Sequence, residues 1–150
     1  MAGTYSKIYL QLVFTVKGRE KLLNKPWREK VFKYISGNID LKNQKSFIVN
    51  GTSDHIHVLV SISPSMKISD LVRDIKNNSS RYINEQNFIS QKFFWQEGYG
   101  VFSYSHSEIN KIYQYIAKQE KHHKSASFQE EYLNFMESYE IDYNRKYLFD

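Results

Sequence analysis

Two histidines stand one residue apart in the stretch DHIHVLVSI, residues 54–62. Side chains alternate between the two faces of a strand, so His55 and His57 would share a face, about 7 Å apart along the chain. Ile56, Val58 and Val60 would take the opposite face, and these apolar, branched side chains are expected to face the core. The histidines would then lie on the open face, as ordinary surface residues or as two ligands of one metal ion.

A second group of polar residues lies in YQYIAKQEKHH, residues 113–123. Helical residues four apart share a face, so Tyr115 and Gln119 would present a phenol and a carboxamide oxygen side by side. His122 falls on that face too, whereas the expected buried stripe points elsewhere and comprises Ile109, Ile112, Tyr113 and Ile116. Tyr113 is the rival tyrosine, but four residues after it stands Ala117, which cannot bind metal.

The hydrophobic periodicity predicts the elements that must position these residues. Alternating apolar residues indicate strands, and apolar residues every third or fourth position indicate helices. Both later helices open with a Ser-x-x-Glu capping box, at Ser105 to Glu108 and at Ser127 to Glu130. The predicted order is a strand in 7–18, a helix in 24–40, strands in 45–54 and 55–62, a helix in 63–86, an extended segment in 93–105, and helices in 105–123 and 127–141.

This order, β-α-β-β-α-β-α-α, matches the ferredoxin-like split β-α-β plan of the α+β class. We expect an antiparallel sheet with helices on one face, plus a C-terminal helix that carries Tyr115. The other face of the sheet would be free for the histidines. The chain has no repeat, low-complexity segment or Pro/Gly-rich linker, so residues 1–150 are predicted to form a single domain.

The composition of the chain indicates which kind of partner and which cellular compartment to expect. Lys and Arg number 21 against 16 Asp and Glu, which gives a net charge of +5, and aromatic residues make up 16% of the chain. Basic charge with many aromatic rings suits an anionic partner with flat faces, such as single-stranded nucleic acid. The absence of cysteine excludes disulfides and thiolate metal sites, and we expect a cytoplasmic protein without signal peptide or membrane span.

Taken together, the motifs resemble the HUH endonuclease superfamily. They are most similar to its single-tyrosine transposases from small insertion sequences and to the relatives associated with repetitive extragenic palindromes. The resemblance covers nearly the whole chain and rests on YLQLVFTVK, SDHIHVLVSI, DLVRDIKNNSSRYI, FWQEGYGVFSYS and YIAKQEKHH. It implies an endonuclease and strand transferase that cleaves and rejoins single-stranded DNA at hairpin-marked element ends without ATP.

The resemblance also implies a role for each site residue. His55 and His57 match the two metal-binding histidines, and Gln119 matches the third ligand of a Mg²⁺ or Mn²⁺ ion. Tyr115 matches the nucleophile that forms a 5′-phosphotyrosine intermediate. The resemblance further implies a homodimer in which the tyrosine helix of one subunit completes the histidine site of the other. The polar stretch 118–127 would allow that helix to swing between subunits.

Basic and aromatic residues outside the site are candidates for DNA contacts. We expect phosphate contacts from Arg73, Lys76, Arg81 and Lys92. Base stacking is expected from Phe94 and Tyr99, with Trp95 and Phe102 as further candidates that could equally be core residues. His122, near a helix end, is also a candidate DNA contact.

Three other functions remain open from the sequence. A domesticated relative would cleave hairpin DNA without mobilising an element. A ferredoxin-like protein could bind single-stranded nucleic acid without catalysis, although it would need neither the histidine pair nor Tyr115 with Gln119. A metal-dependent phosphodiesterase that activates water would not need Tyr115. A covalent protein–DNA adduct separates the tyrosine mechanism from the last two.

Overall fold

Strands and helices follow one another in the predicted order, and the computed structural model describes residues 3–123 and 126–148. The predicted helix at 105–123 is divided in two at Lys118, where the backbone leaves helical geometry. The elements are β1 (Ile8–Thr15), α1 (Lys25–Leu41), β2 (Lys45–Gly51), β3 (His55–Ile62), α2 (Ile68–Glu85), β4 (Gly100–Tyr104), α3 (Ile109–Ala117), α4 (Gln119–His122) and α5 (Phe128–Ser138).

The four strands form one antiparallel sheet in the order β2-β3-β1-β4. This is the ferredoxin-like arrangement, so the predicted fold class is confirmed. The pairing of β1 with β3 sets Thr15 opposite His55 and Val13 opposite His57. Both histidines therefore lie on one of the two central strands, and neighbouring strands can supply side chains to them from either side.

The main core lies between the sheet and helices α1 and α2. Pro26 occupies the first turn of α1, where its missing N–H costs no hydrogen bond. The four-residue spacing that predicts α1 places its apolar side chains on the sheet. Trp95 also belongs to this core: its ring meets Phe14 edge-on and its Nε1 donates to Ser79 at 2.8 Å. The sheet residues of this core include Leu12, Phe14, Ile56, Val58 and Val60.

The opposite face of the sheet is covered, which corrects the expectation of an open face. α5 carries apolar residues at four-residue intervals, Phe128, Tyr132 and Met136, and these pack against Val13 and Phe102 of the sheet. An amphipathic helix must bury such a stripe, and this face offers apolar partners. β1 is consequently buried on both faces along nearly its whole length, rather than on one.

The predicted buried stripe of the tyrosine helix is also corrected. Only Ile116 is buried in α3, and Tyr113 is 38% exposed. α3 rests on the sheet through its C-terminal turn, so most of its apolar residues stay partly accessible. Among the described residues, the helices fall short of the length and apolarity that crossing a bilayer requires.

Candidate active site

Each of the two histidines holds one ring nitrogen against an oxygen of another side chain. Nδ1 of His55 lies 2.8 Å from Oδ1 of Asp54 and 3.1 Å from the hydroxyl of Thr52, both in the turn before β3. Nδ1 of His57 lies 2.6 Å from Oε1 of Gln11 on β1. An Nδ1–H donated to an oxygen leaves the Nε2 lone pair available, which is the arrangement typical of metal-binding histidines.

The Nε2 atoms face a space that α4 and α5 also reach. Oε1 of Gln119, at the start of α4, lies 3.0 Å from Nε2 of His55. Oε1 of Glu131, on α5, lies 3.0 Å from Nε2 of His57. Ligand atoms of His55, His57 and Glu131 all lie within 4.8 Å of one another. The structure thus brings the three predicted ligands together and adds a carboxylate to them.

Tyr115 reaches the same space from α3. Its hydroxyl donates a hydrogen bond to Oε2 of Glu131, and its ring centre lies 6.1 Å from that of His57. Burial, together with the charge of Glu131, raises the pKa of Tyr115 above its ordinary value. The phenol is therefore protonated in this arrangement, so its contact with Glu131 does not activate it as a nucleophile.

Two contacts fix the junction of α3 and α4, which lies between Tyr115 and Gln119. The amide of Asn50, on β2, donates to the carbonyl of Ile116 at 2.9 Å and so caps the end of α3. Arg28, buried on α1, donates to the carboxylate of Glu120 at the start of α4. The chain therefore changes direction at a point held from β2 and from α1.

Negative charge concentrates on Glu131 at the centre of the site. Burial opposes its ionisation, but hydrogen bonds from His123 and His57 outweigh burial and hold the pKa of Glu131 well below its usual range. Burial lowers the pKa of His57, and Glu131 offsets only part of that effect. The pKa of His123 is raised, because its contact with Glu131 at 3.4 Å outweighs its partial burial. The site therefore holds an anionic carboxylate at neutral pH.

Sequence reasoning missed Glu131 and Gln11. Glu131 is buried although it is acidic, and it stands among the apolar residues of α5, which is a signal that a carboxylate is turned inward. Gln11 interrupts the apolar strand β1 and is completely buried. A polar residue inside an apolar strand needs partners, and here Oε1 of Gln11 meets His57 while its Nε2 donates to the hydroxyl of Tyr104 at 2.7 Å.

The residues predicted to contact DNA fall into two groups. One group lines the outer side of α2 and the segment before β4, and it comprises Arg73, Lys76, Arg81, Lys92, Phe94 and Tyr99. Phe94 and Tyr99 are 49% and 38% exposed, and the ammonium of Lys92 lies 5.3 Å from the centre of the Phe94 ring. His122 lies apart from these residues, and its ring centre is 4.7 Å from that of Tyr115.

Three of the predicted cations already make hydrogen bonds or ion pairs within the chain, and one of them is Arg81, whose guanidinium donates to Oδ1 of Asn78 at 2.9 Å. Nζ of Lys76 donates to the backbone carbonyls of residues 96, 97 and 98 at 2.8, 3.1 and 2.6 Å. Burial lowers the pKa of Lys76 to about 8. Arg73 forms an ion pair with Asp70 at 3.2 Å. Lys76 therefore fastens the segment before β4 onto α2, whatever it contributes to DNA binding.

Comparison with known proteins places this chain in a family. The family model for IS200-like transposases matches residues 4–119, a range that includes the histidine pair, Tyr115 and Gln119 but ends before α5. A search of curated proteins finds no match.

Solved structures share the fold. A protein of Deinococcus radiodurans R1 assigned as a transposase superposes with a TM-score of 0.65 at 21% identity, over 79% of this chain and 95% of that one. A REP-associated tyrosine transposase bound to a REP hairpin superposes with a TM-score of 0.59 at 12% identity, over 82% of this chain and 73% of that one. With the family model spanning most of its length, the chain belongs to the IS200-like transposase family.

Proposed function

We propose that this transposase cleaves and rejoins single-stranded DNA through a covalent intermediate on Tyr115, with the help of a divalent metal ion. The observation that carries the proposal is the orientation of the two imidazoles. Both His55 and His57 turn Nδ1 toward an oxygen acceptor and Nε2 toward the space that contains the partner of the Tyr115 hydroxyl. Metal ligands and nucleophile thus share one site.

The donor set fits a divalent ion. Nε2 of His55 and His57 and oxygens of Gln119 and Glu131 converge, and this cysteine-free chain has no thiolate to offer. Imidazole with carboxamide and carboxylate oxygens suits Mn²⁺ at least as well as Mg²⁺. When bound, the ion would polarise the scissile phosphate and offset the charge that develops on its oxygens.

The chain itself supplies the nucleophile. Oη of Tyr115 attacks the phosphorus, the bond to the 3′ oxygen breaks, and the products are a 5′-phosphotyrosine and a free 3′-OH. The phenol loses a proton and the 3′ oxygen gains one. Because one ester replaces another, the step needs no ATP, and a second 3′-OH can displace Tyr115 to join a new end.

Glu131 is proposed to occupy the position that the scissile phosphate takes when DNA binds. Its two oxygens contact the Tyr115 hydroxyl and Nε2 of His57, which are the two groups between which the phosphate must lie. His55 and His57 are completely buried beneath α5. We infer that the carboxylate of Glu131 is exchanged for the phosphate when DNA binds.

The DNA is proposed to carry hairpins, and the protein to act as a homodimer with shared sites. The hairpin proposal is supported by the REP-associated tyrosine transposase, which has this fold and is bound to a REP hairpin. The dimer proposal is supported by the shallow packing of α3, in which Ile116 alone is buried. A helix held by so little apolar surface can be exchanged between subunits.

The test is a search for the covalent intermediate. Wild-type protein is incubated with Mn²⁺ and labelled single-stranded DNAs that contain a hairpin flanked by randomised sequence, then run on a denaturing gel. We expect an adduct with wild type and with Tyr113→Phe, and none with Tyr115→Phe, which keeps the shape of the ring but lacks the nucleophile. DNA binding of Tyr115→Phe should remain close to that of wild type.

Other outcomes of this experiment would contradict the proposal or indicate a different function. An adduct with Tyr115→Phe, or one that forms in excess chelator, contradicts the proposal. Cleavage without any adduct indicates a phosphodiesterase that uses water, and binding without cleavage indicates a non-catalytic DNA-binding protein. A domesticated relative would form the adduct but would not excise the DNA that encodes it.

A further inference from the structure

A cavity of about 350 Å³ opens beside Tyr115, between α3 and α5. Glu131 and Tyr115 form its inner end, next to the histidines. Ile112 of α3 and Phe135 of α5 line it with apolar surface. Its outer edge is polar and exposed, and is formed by Lys111, Asn134 and Ser138. The cavity therefore connects solvent to the nucleophile without passing through the buried histidines.

The DNA chain must run through the space around Tyr115. If Tyr115 attacks a phosphodiester, as the proposed function holds, the nucleosides on both sides of that phosphate lie within one nucleotide of its hydroxyl. Pockets for small molecules measure on the order of 300–1,000 Å³, so this cavity has room for one nucleoside. With the phosphate in the position of the Glu131 carboxylate, one neighbouring nucleoside lies at the inner end of the cavity.

The lining matches the chemistry of an unpaired nucleobase. A base has flat faces that stack on aromatic or apolar groups, here Phe135 and Ile112, and polar edges that need hydrogen-bond partners. Asn134 offers a donor and an acceptor side by side, and Ser138 offers a hydroxyl. Neither side chain hydrogen-bonds to another group in residues 3–123 or 126–148. The ammonium of Lys111 is available at the edge for the next phosphate.

We propose that this cavity binds the unpaired nucleobase adjacent to the scissile phosphate, and that Asn134 reads its polar edge. This inference rests on the proposed function of Tyr115 and extends it to the choice of cleavage site. The protein, rather than DNA pairing alone, then selects the nucleotide at which Tyr115 cuts. A carboxamide that pairs with a base edge typically discriminates by a factor of roughly ten or more.

The first experiment measures base selection. Wild-type protein reacts with the hairpin DNAs of randomised flanks, and the adducts are sequenced to obtain the base preference at the positions adjoining the cleaved bond. We expect a preference of roughly tenfold that Asn134→Ala flattens. Asn134→Asp, which keeps the shape but lacks the amide donor, should change which base is preferred. Glu137→Ala, on the same helix but outside the cavity, should leave the preference unchanged.

The second experiment does not depend on cleavage. The four deoxynucleoside 5′-monophosphates are titrated into ¹⁵N-labelled protein, and backbone amide shifts are followed by NMR. We expect saturable shifts at Asn134 and Phe135, weaker in Asn134→Ala. If adducts form but both Asn134 variants keep the wild-type preference, the cavity proposal is wrong and the proposed function stands. If no adduct forms, the proposed function fails, and absence of shifts at these two residues overturns the cavity proposal as well.

Discussion

Glu131 carries the only buried carboxylate within the described residues, and it lies between the hydroxyl of Tyr115 and Nε2 of His57. Replacing Glu131 by Gln removes a negative charge from the position proposed for the scissile phosphate. We expect single-stranded DNA to bind roughly fivefold more tightly in Mn²⁺, because repulsion between like charges at contact distance amounts to about 1 kcal/mol in water. Fluorescence anisotropy of labelled hairpin DNA measures the change.

Glu130→Gln is the matched control for this prediction. It makes the same change in net charge one residue away, but the side chain of Glu130 is exposed, so DNA affinity should hardly change. Weaker DNA binding by Glu131→Gln would show that the carboxylate is needed to hold the ion, and the inferred exchange with phosphate would then be wrong.

At the residue scale, the sequence could predict which residues share a face when they are near one another in the chain. The period of a strand sets His55 and His57 on one face, and the period of a helix sets Tyr115 near Gln119. Glu131 and Gln11 could not be assigned to this site in the same way, because they lie 74 and 46 residues from His57 and reach it only through the packing of α5 and the pairing of β1.

Asn50 supplies the contact from β2 that caps the end of α3 at its junction with α4. Replacing Asn50 by Ala removes the donor to the carbonyl of Ile116, and an unsatisfied carbonyl of this kind costs about 1–3 kcal/mol. We expect a lower melting temperature and an adduct rate that falls by more than tenfold, since α3 no longer holds Tyr115 at the histidines. DNA binding on the far side of the molecule should persist.

Asn50→Asp distinguishes the hydrogen bond that Asn50 donates from the packing of its side chain. It keeps the shape of the side chain but places an acceptor against the helix carbonyls, so it should be as slow as Asn50→Ala in adduct formation. If Asn50→Asp retains the wild-type rate, the hydrogen bond from Asn50 does not position Tyr115.

The contribution of Lys76 to the stability of the fold depends on pH. Its pKa is lowered by burial from 10.5 to about 8 in the folded chain. Between these values the unfolded chain still binds a proton that the folded chain has released, so the contribution of Lys76 to the free energy of unfolding rises with pH. Urea denaturation at pH 7.5 and pH 10 should show wild type gaining stability relative to Lys76→Met.

A stability difference between wild type and Lys76→Met that is the same at both pH values would contradict this assignment. The comparison with the variant is essential, because the many tyrosines of the chain titrate near the upper pH and contribute equally to both proteins.

At the element scale, the sequence predicted which segments are helices but not all of their breaks or partners. The apolar stripe ends at Ile116 and the residues that follow are polar, so the pattern does not locate the division at Lys118, which depends on contacts with Asn50 and Arg28 from distant elements. The stripe of α5 is equally visible in the sequence. The sequence does not show that this stripe packs on the histidine face of the sheet, because another apolar surface could equally have covered it.

The whole molecule places Tyr115 at the histidines of its own chain, and the proposed dimer requires that α3 can also serve the partner. Mixing two inactive variants, His57→Ala and Tyr115→Phe, tests this. We expect adduct formation to return in part, to about a quarter of the wild-type level in an equal mixture, because half of the dimers would be heterodimers and each would regain one of its two sites. The readout is the labelled adduct on a denaturing gel after the subunits have exchanged.

The oligomeric state must be measured on the same mixture by analytical ultracentrifugation. Heterodimers that form and remain inactive would show that each tyrosine works on the histidines of its own chain. A monomer at all concentrations would exclude shared sites altogether.

At the scale of the whole chain, the sequence predicted the ferredoxin-like sheet because the order of elements allows few ways of pairing the strands. It also indicated basic and aromatic residues for DNA, and six of these collect along α2 and the segment before β4. The prediction that the histidine face is exposed was wrong, because the composition of the chain does not reveal how much of a sheet the last helix covers.

The buried polar cluster between the sheet and α5 also bears on how such proteins change over generations. Two imidazoles, two carboxamides and a carboxylate occupy a volume that apolar side chains would fill, and replacing buried polar networks by apolar residues is often neutral or stabilising. If selection acted on stability alone, apolar residues would therefore replace this cluster while the fold stayed the same. A descendant with leucines at positions 57 and 131 would be a more stable domain without the proposed cleavage activity, and the persistence of His57 and Glu131 in a lineage would record selection for chemistry.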